Sequence, residues 1–351
     1  MELAELAPQQ LQALSAPRRG RKRADKTLGT PILSVVIVNY RQWDDTYGLV
    51  RQLSASPSMR HGGVEIVIVD NHSQPHPLMA KLRRMPGVSL RRWGSNHGFA
   101  RAVNEGCRLS RGQWFLLLNP DMTVSDTFLD EVLALMGRVS SADARTGIIG
   151  LQLRHSDGSR QYSAGPEPSL GSTLAGIAMP RCRRKYYRLS MSRRRRVPWV
   201  TGCCMLLRRD CVQELGGLDE DFFLYYEDVD LCRRARARGW SVWFDPSLRV
   251  VHHRPLHTRA VPAHLRLFTR HALLTYGAKH WSDWKLRILA NCVRVESWVR
   301  EKWAAWHGER ETAEMFGRLR AIATDLHEGR PRVARRRLNE VVRCQEKRVA
   351  P

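Results

Sequence analysis

The stretch that most constrains the fold runs from Gln113 to Asp121, Gln-Trp-Phe-Leu-Leu-Leu-Asn-Pro-Asp. Its apolar run, Trp114 to Leu118, reads as a strand covered on both faces, the environment of a parallel sheet core. Pro120 then removes a backbone donor and ends the ladder. Asp121 follows at once, and an acid at the carboxyl end of a buried parallel strand stands where open α/β sheets bind their ligands. Asn, Pro and Asp are also favoured turn formers, so the tripeptide alone is equally compatible with a plain turn.

The same pattern recurs upstream. Ser34 to Tyr40 is a β-branched run closing on Asn39 and Tyr40, and Val64 to Asn71 is a second, closing on Asp70 and Asn71. Helix-compatible sequence over 44–53 lies between them. Val88 to Arg92 reads as a short third strand, and Gly94 to Asn104 as a Gly-containing turn entering a helix. Strand–helix alternation at this spacing predicts a doubly wound α/β fold with a largely parallel sheet. Three buried strands with polar ends at one sheet edge point to a nucleotide crevice.

Farther along, 152–198 is dense in Arg, with Arg181, Arg183, Arg184, Lys185 and the run Arg193 to Arg196. A connection of this length is either a solvated loop or a functional lid. Val197 to Leu207 reads as one strand in which Gly202 allows close backbone approach. Glu227 and Asp228 open an Ala- and Arg-rich helix, where their charge complements the macrodipole whatever else they do. Short strands are expected at Trp243–Phe244 and Leu248–Val251, the latter ending in His252-His253. From His264 to Trp306 the chain is helical in character, with Trp281, Trp284, Trp298, Trp303 and Trp306 among basic residues. That mixture suits an anionic membrane surface or a packed terminal layer. The expected organisation is a basic mobile arm over 1–30, a catalytic domain over 31–260, a helical extension over 261–330 and a loosely held basic tail over 331–351.

Charge narrows the partners. Lys and Arg number 58 against 34 acids, a net of +24, so the partner should be anionic: nucleic acid, membrane surface or phosphorylated substrate. A nucleic-acid binder would need stacking platforms or a recognised module, and the Arg excess is spread along tails and helices instead. No nucleic acid is therefore expected. Neither G-x-x-x-x-G-K-[ST] nor G-x-G-x-x-G occurs. The 8 cysteines lack zinc spacing and read as reduced thiols. No apolar run approaches the roughly 18 residues of a membrane span, and no signal-peptide core follows Met1. The expected location is cytoplasmic, peripheral at the inner face of the cell membrane.

With these residues assembled, the chain resembles the family 2 glycosyltransferases of GT-A fold, especially bacterial rhamnosyltransferase-like enzymes of surface polysaccharide assembly. The matching pieces are Ser34 to Tyr40, Ile68 to Ser73, Asn96 to Asn104, Leu118 to Asp121, Gly217 to Leu231 and Val250 to His252. They stand in the family's order and span roughly 33–255. The resemblance implies a GT-A sheet with a nucleotide-sugar half over 31–125 and an acceptor half over 126–260. It implies a nucleoside-diphosphate-sugar donor, UDP or dTDP, and a glycan or lipid-linked acceptor.

It also implies roles. Asp70, with Asn39, Tyr40 and Asn71, would hold the base, a carboxylate being able to accept the imide N–H of uracil or thymine. Asn96, Gly98, Phe99, Asn104 and Asn119 would line the nucleotide-sugar. Asn119-Pro120-Asp121 occupies the place of the family's Asp-x-Asp, departing from it by Asn at the first position. Asp121 and His252 would ligate Mg2+ or Mn2+, oxygen donors suiting either ion and an imidazole favouring the second. Asp228, supported by Glu227, would be the base that takes the acceptor's proton. Trp199, Gly202 and Asp219 would face the acceptor. The family's processive synthases carry Gln-x-x-Arg-Trp and membrane-spanning helices; neither is found, so a single addition is expected. A nucleotidyltransferase on a similar sheet would need a Gly-rich basic loop after the first strand, and none follows Val38.

Overall fold

The computed structural model describes residues 30–178, 192–254 and 262–348. The arm over 1–29 and the basic residues Arg181, Arg183, Arg184 and Lys185 lie outside the described residues. The first half runs β1 (Leu33–Asn39), α1 (Trp43–Ser54), α2 (Pro57–Arg60), β2 (Val64–Asp70), α3 (Leu78–Arg84), β3 (Val88–Arg92), α4 (Phe99–Leu109), β4 (Trp114–Leu118), β5 (Met122–Thr123) and α5 (Phe128–Ala142). The second runs β6 (Thr146–Arg154), β7 (Arg160–Gln161), β8 (Ala164–Gly165), α6 (Leu170–Ala178), β9 (Arg195–Arg196), β10 (Trp199–Val200), β11 (Cys204–Arg208), α7 (Arg209–Leu215), α8 (Glu227–Ala237) and β12 (Ser241–His252). Four helices close the chain: α9 (Ala263–His280), α10 (Asp283–Trp306), α11 (Arg310–His327) and α12 (Pro331–Arg348).

Period-two alternation along β1 feeds two cores. Val35 and Ile37 face one side, with α1, α3 and α5 through Leu49, Leu82 and Phe128. Val36 and Val38 face the other, with α4 and α8 through Val103 and Leu231. Both faces being covered explains the unbroken apolar runs of β1, β2 and β4. Each fully buried aliphatic side chain in these strands contributes about 1.5–3 kcal/mol relative to an exposed one.

The sheet order is β3-β2-β1-β4-β11-β6-β12-β5. β3, β2, β1 and β4 are parallel, β11 runs antiparallel to both β4 and β6, and β12 is parallel to β6. β12 therefore shares its direction with β4, and Asn39, Asp70, Asp121 and His252 end at one edge. This is the doubly wound, mixed and mostly parallel sheet expected, with the C-terminal helices added.

Several expected boundaries need correction. Val197 to Leu207 is two strands, because the chain turns at Thr201–Cys203 and pairs β10 with β8 but β11 with β4. The two short strands at 243–244 and 248–251 are one, β12, with a register shift between Asp245 and Arg249. Within 152–198 the described residues form β7, β8, α6 and β9. Over 331–348 the tail expected to be loosely held is the helix α12, which buries Ala334, Leu338, Val341 and Val342 against a layer it shares with α9 and α11. These four positions form one helical stripe, hidden in the sequence by the Arg residues around them.

Candidate active site

Asp121 and His252 meet because β5, directly after Asp121, pairs antiparallel with the end of β12, setting Met122 opposite His252. His252 Nε2 lies 3.6 Å from Asp121 Oδ1. The other ring nitrogen, Nδ1, is 2.9 Å from Gln161 Oε1, which fixes the ring. His253 points the opposite way, to Thr123 and Ser156, as strand alternation requires. Burial favours the neutral form of Asp121, but His252 and Arg254 outweigh it and hold the carboxyl below the usual carboxylate range. Arg254 Nε is 3.9 Å from Asp121 Oδ2, and its guanidinium also pairs with Asp45.

On the donor side, Asn39 and Asp70 sit side by side at the ends of β1 and β2. Asn39 Nδ2 donates to Asp70 Oδ1 at 2.9 Å and to Ser73 Oγ at 3.0 Å, and its Oδ1 accepts from Thr46. Asp70 is wholly buried and also accepts from Arg92 Nε at 3.0 Å. Asn39 is thus committed to holding Asp70 and its loop, and Arg92 joins that carboxylate to the same loop by also donating to Ser73 O. Tyr40 is half-buried, with the Arg41 guanidinium over its ring. Asn71 ties the following loop by donating to Asn96 Oδ1 and Gly98 O and accepting from His97 N–H.

Two expected ligand contacts are instead internal. Gly98 has φ +93°, and a Cβ there would lie 2.6 Å from Phe223 O. The missing side chain makes room for protein backbone, with Phe99 N–H donating to that same carbonyl at 2.7 Å. Asn104 spends its amide on Leu218: Nδ2 donates to Leu218 O at 2.8 Å and Oδ1 accepts from Leu218 N–H at 2.8 Å. It anchors the 216–220 turn rather than presenting its side chain to a sugar. Asn119 is half-buried beside Asp121, its N–H donating to Cys203 O.

Across the crevice, Asp228 is half-buried and Glu227 buried. Tyr225 and Tyr226 both take left-handed backbone conformations, φ +74° and +65°, at the entry to α8. Such strain in two bulky residues is held only where the surroundings impose it. Asp228 Oδ2 accepts Gly202 N–H at 2.9 Å, and Oδ1 accepts Val229 N–H at 2.8 Å, so the carboxylate is fixed by two backbone donors. The Phe99 ring lies within van der Waals reach of Gly202. Trp199 is buried in the core, its indole N–H donating to Pro166 O, and offers no face to an acceptor. Asp219 orders its own turn and pairs with Lys279 of α9 at 2.9 Å.

Sequence reasoning missed several supporting residues: Gln161, which orients His252; Arg92 and Ser73 on Asp70; Arg254 beside Asp121; and Glu167, which grips Arg233 and Arg236 of α8. It missed Glu346 too, whose Oε1 accepts Asn96 N–H at 2.7 Å and stands 3.9 Å from His72. Arg254, one residue past His252-His253, carried a visible signal; the others sit at positions with no pattern.

The sheet edge thus carries an acid and an imidazole in contact, and a second, backbone-held carboxylate, Asp228, that shares the neighbourhood of Cys203 with Asp121. Residues 31–272 match the family described as "Glycosyltransferase like family 2". The chain is 30% identical over 276 residues to the N-acetylglucosaminyl-diphospho-decaprenol L-rhamnosyltransferase of Mycobacterium tuberculosis (strain CDC 1551 / Oshkosh), covering 73% of this chain and 87% of that one. It is 26% identical over 162 residues to the rhamnosyltransferase WbbL of Escherichia coli (strain K12), covering 46% and 60%. The solved structure of GalNAc-T7 with UDP, GalNAc and Mn2+ shares the fold, with a TM-score of 0.51 at 17% identity. That likeness spans 72% of this chain and 48% of the other.

The chain belongs to glycosyltransferase family 2. It is a glycosyltransferase, and its relatives include rhamnosyltransferases.

Among the described residues no helix is long and apolar enough to cross a membrane. The 7 cysteines among them are free thiols, and burial pushes Cys203 up to about 12, far from reactivity at neutral pH.

Proposed function

We propose that this chain is an inverting, divalent-metal-dependent glycosyltransferase that adds a single sugar from a UDP- or dTDP-sugar to a lipid-linked or glycan acceptor. Rhamnose is the sugar carried by the relatives' names, and a decaprenyl diphosphate sugar is the acceptor in one of them. The observation that carries the reading is the approach of His252 Nε2 to Asp121 Oδ1 at 3.6 Å.

The fit to a cation is good for a particular kind of site. Among the described residues no three His, Cys, Asp or Glu side chains cluster to cage an ion. One carboxylate and one imidazole instead suit a Mg2+ or Mn2+ that takes its remaining ligands from substrate phosphates and water. When bound, the ion neutralises charge developing on the diphosphate leaving group. Arg254, beside Asp121, adds a fixed positive charge to the same region.

Asp70 is the base-recognition group of this reading; wholly buried, with Oδ1 accepting from Asn39 and Oδ2 from Arg92, it meets the base once Arg92 moves off Oδ2. Asp228 Oδ takes the proton of the acceptor hydroxyl as that oxygen attacks the anomeric carbon from the face opposite the diphosphate. One displacement with one base inverts the anomeric configuration. Asp228, more accessible than Glu227 and held in place by two N–H donors, is the better placed of the two to meet an acceptor; Glu227 is the buried first residue of α8. A net charge of +24 suits an anionic membrane surface bearing the acceptor.

The test is thermal unfolding with UDP-, dTDP- and GDP-sugars, each with and without Mn2+. A ligand bound only by the folded chain raises the midpoint. A midpoint rise with UDP or dTDP that requires the ion supports the reading. No response to any nucleotide refutes it.

A further inference from the structure

Of the 10 exposed large hydrophobic side chains among the described residues, 7 lie on the single helix α10. Trp284, Trp298, Trp303 and Trp306 are 57%, 51%, 55% and 84% exposed, and Val295 and Val299 fill the space between them. With Ile288 they recur at steps of three, four and seven residues from Trp284 to Trp306 and mark one face about six turns long. The opposite face, with Leu289, Ala290, Val293 and Ala304, is buried against the rest of the helical layer. The exposed face is therefore surplus to folding. Leaving four indoles in water costs the folded chain their burial energy, and a contiguous apolar patch of this kind marks an interaction surface.

Charge decides what covers it. Arg287 and Lys302 lie exposed on the same face. Between Trp284 and Trp306 the acids are Glu296 and Glu301. Glu296 is engaged by Arg266, Arg270 and Arg300, and Glu301 by Arg320 of α11. The face thus offers indoles and cations, with its acids tied up behind it. Two copies would bring like charges together. An anionic bilayer matches both features: indole rings favour the headgroup boundary, and Lys and Arg favour anionic lipid.

We propose that α10 lies in the plane of an anionic bilayer and seats the enzyme on it, its Trp face at the headgroup boundary. The face is joined to the acceptor side of the crevice by a short path. α6, an uncharged helix, packs against α10. Three residues before it, Glu167 holds Arg233 and Arg236 of α8, the helix that carries Asp228. Seating α10 on the bilayer thereby brings the proposed base toward a lipid-borne hydroxyl. This deepens the reading of a lipid-linked acceptor and rests on it for its purpose, not for its geometry.

The experiment is flotation of the full chain with vesicles of phosphatidylcholine alone or mixed with phosphatidylglycerol, at low and high salt. The unaltered chain should float with the anionic vesicles and lose much of that binding in high salt. Trp298→Ser/Trp303→Ser/Trp306→Ser, all at exposed positions, should reduce partitioning roughly tenfold or more while the unfolding midpoint stays unchanged. Arg287→Glu/Lys302→Glu should abolish the preference for anionic over neutral vesicles. Failure of the unaltered chain to float, or equal flotation of the triple Trp variant, overturns the proposal. So does a concentration-dependent dimer, abolished by the Trp changes, in a chain that ignores vesicles. Nucleotide-dependent thermal shifts on the same samples test the transferase reading by themselves, so the two can fail separately.

Discussion

The backbone N–H of Gly202 donates to Asp228 Oδ2 at 2.9 Å, joining the turn between β10 and β11 to the first turn of α8. A Cβ at position 202 would lie 3.3 Å from Asp228 Cβ, so even alanine displaces the carboxylate by a few tenths of an ångström. Gly202→Ala should lower the transfer rate by roughly tenfold, a shift of a full ångström in a reacting group being able to cost about a hundredfold. Donor-nucleotide binding, on the far side of the crevice, should stay within about twofold. Steady-state kinetics with separate nucleotide titration checks both.

Gly98 gives a prediction about stability. Its φ of +93° and the 2.6 Å approach of Phe223 O leave no room for a side chain, and the obstacle is backbone. Gly98→Ala should destabilise the fold by about 2–4 kcal/mol, combining left-handed strain with overpacking. Denaturant unfolding with an unchanged slope and a lower midpoint is the expected result.

Glu346 links the last helix to the donor loop through Asn96 N–H and His72. Glu346→Ala should raise the donor KM several-fold with little change in kcat, because loop position is lost and the base is untouched. Glu346→Gln, which keeps an acceptor oxygen, should recover most of the loss. A fall in kcat at constant KM would contradict a positioning role.

His271 on α9 gives a pH dependence. Burial, with Arg335 adding to it, pushes its imidazole down to about 3, whereas an unfolded histidine titrates near about 6.5. Asp221 acts in the opposite sense and does not offset them. Below about pH 6.5 the unfolded chain binds a proton that the folded chain refuses, so stability falls with pH until about 3. His271→Leu, of similar volume, should remove on the order of 2 kcal/mol of the loss between about pH 7.5 and about pH 5. Urea unfolding of both chains at the two pH values measures the difference.

The sheet was legible because β1, β2 and β4 are buried on both faces and announce themselves as unbroken apolar runs. Asp121 and His252 were legible as a pair only through resemblance, since the element that joins them, β5, is a two-residue strand with no pattern of its own. Asn39, Gly98 and Asn104 show what a sequence hides. A polar side chain at a strand end, or a glycine before a helix, looks the same whether it serves a ligand or a neighbouring turn. Only the distances to Asp70, Phe223 and Leu218 separate the two. α12 was obscured for a different reason: its four buried positions are scattered among charges, and helices of this kind gain their stability from tertiary packing.

The division of labour between Asp121 and Asp228 is tested most directly by Asp228→Asn. The amide keeps the volume but cannot take a proton from the acceptor. Transfer to acceptor should fall by about a hundredfold or more. The Mn2+-dependent thermal shift by the donor nucleotide should persist unchanged, while Asp121→Asn should abolish that shift. Full transfer activity in Asp228→Asn, or an undiminished metal-dependent shift in Asp121→Asn, would contradict the account.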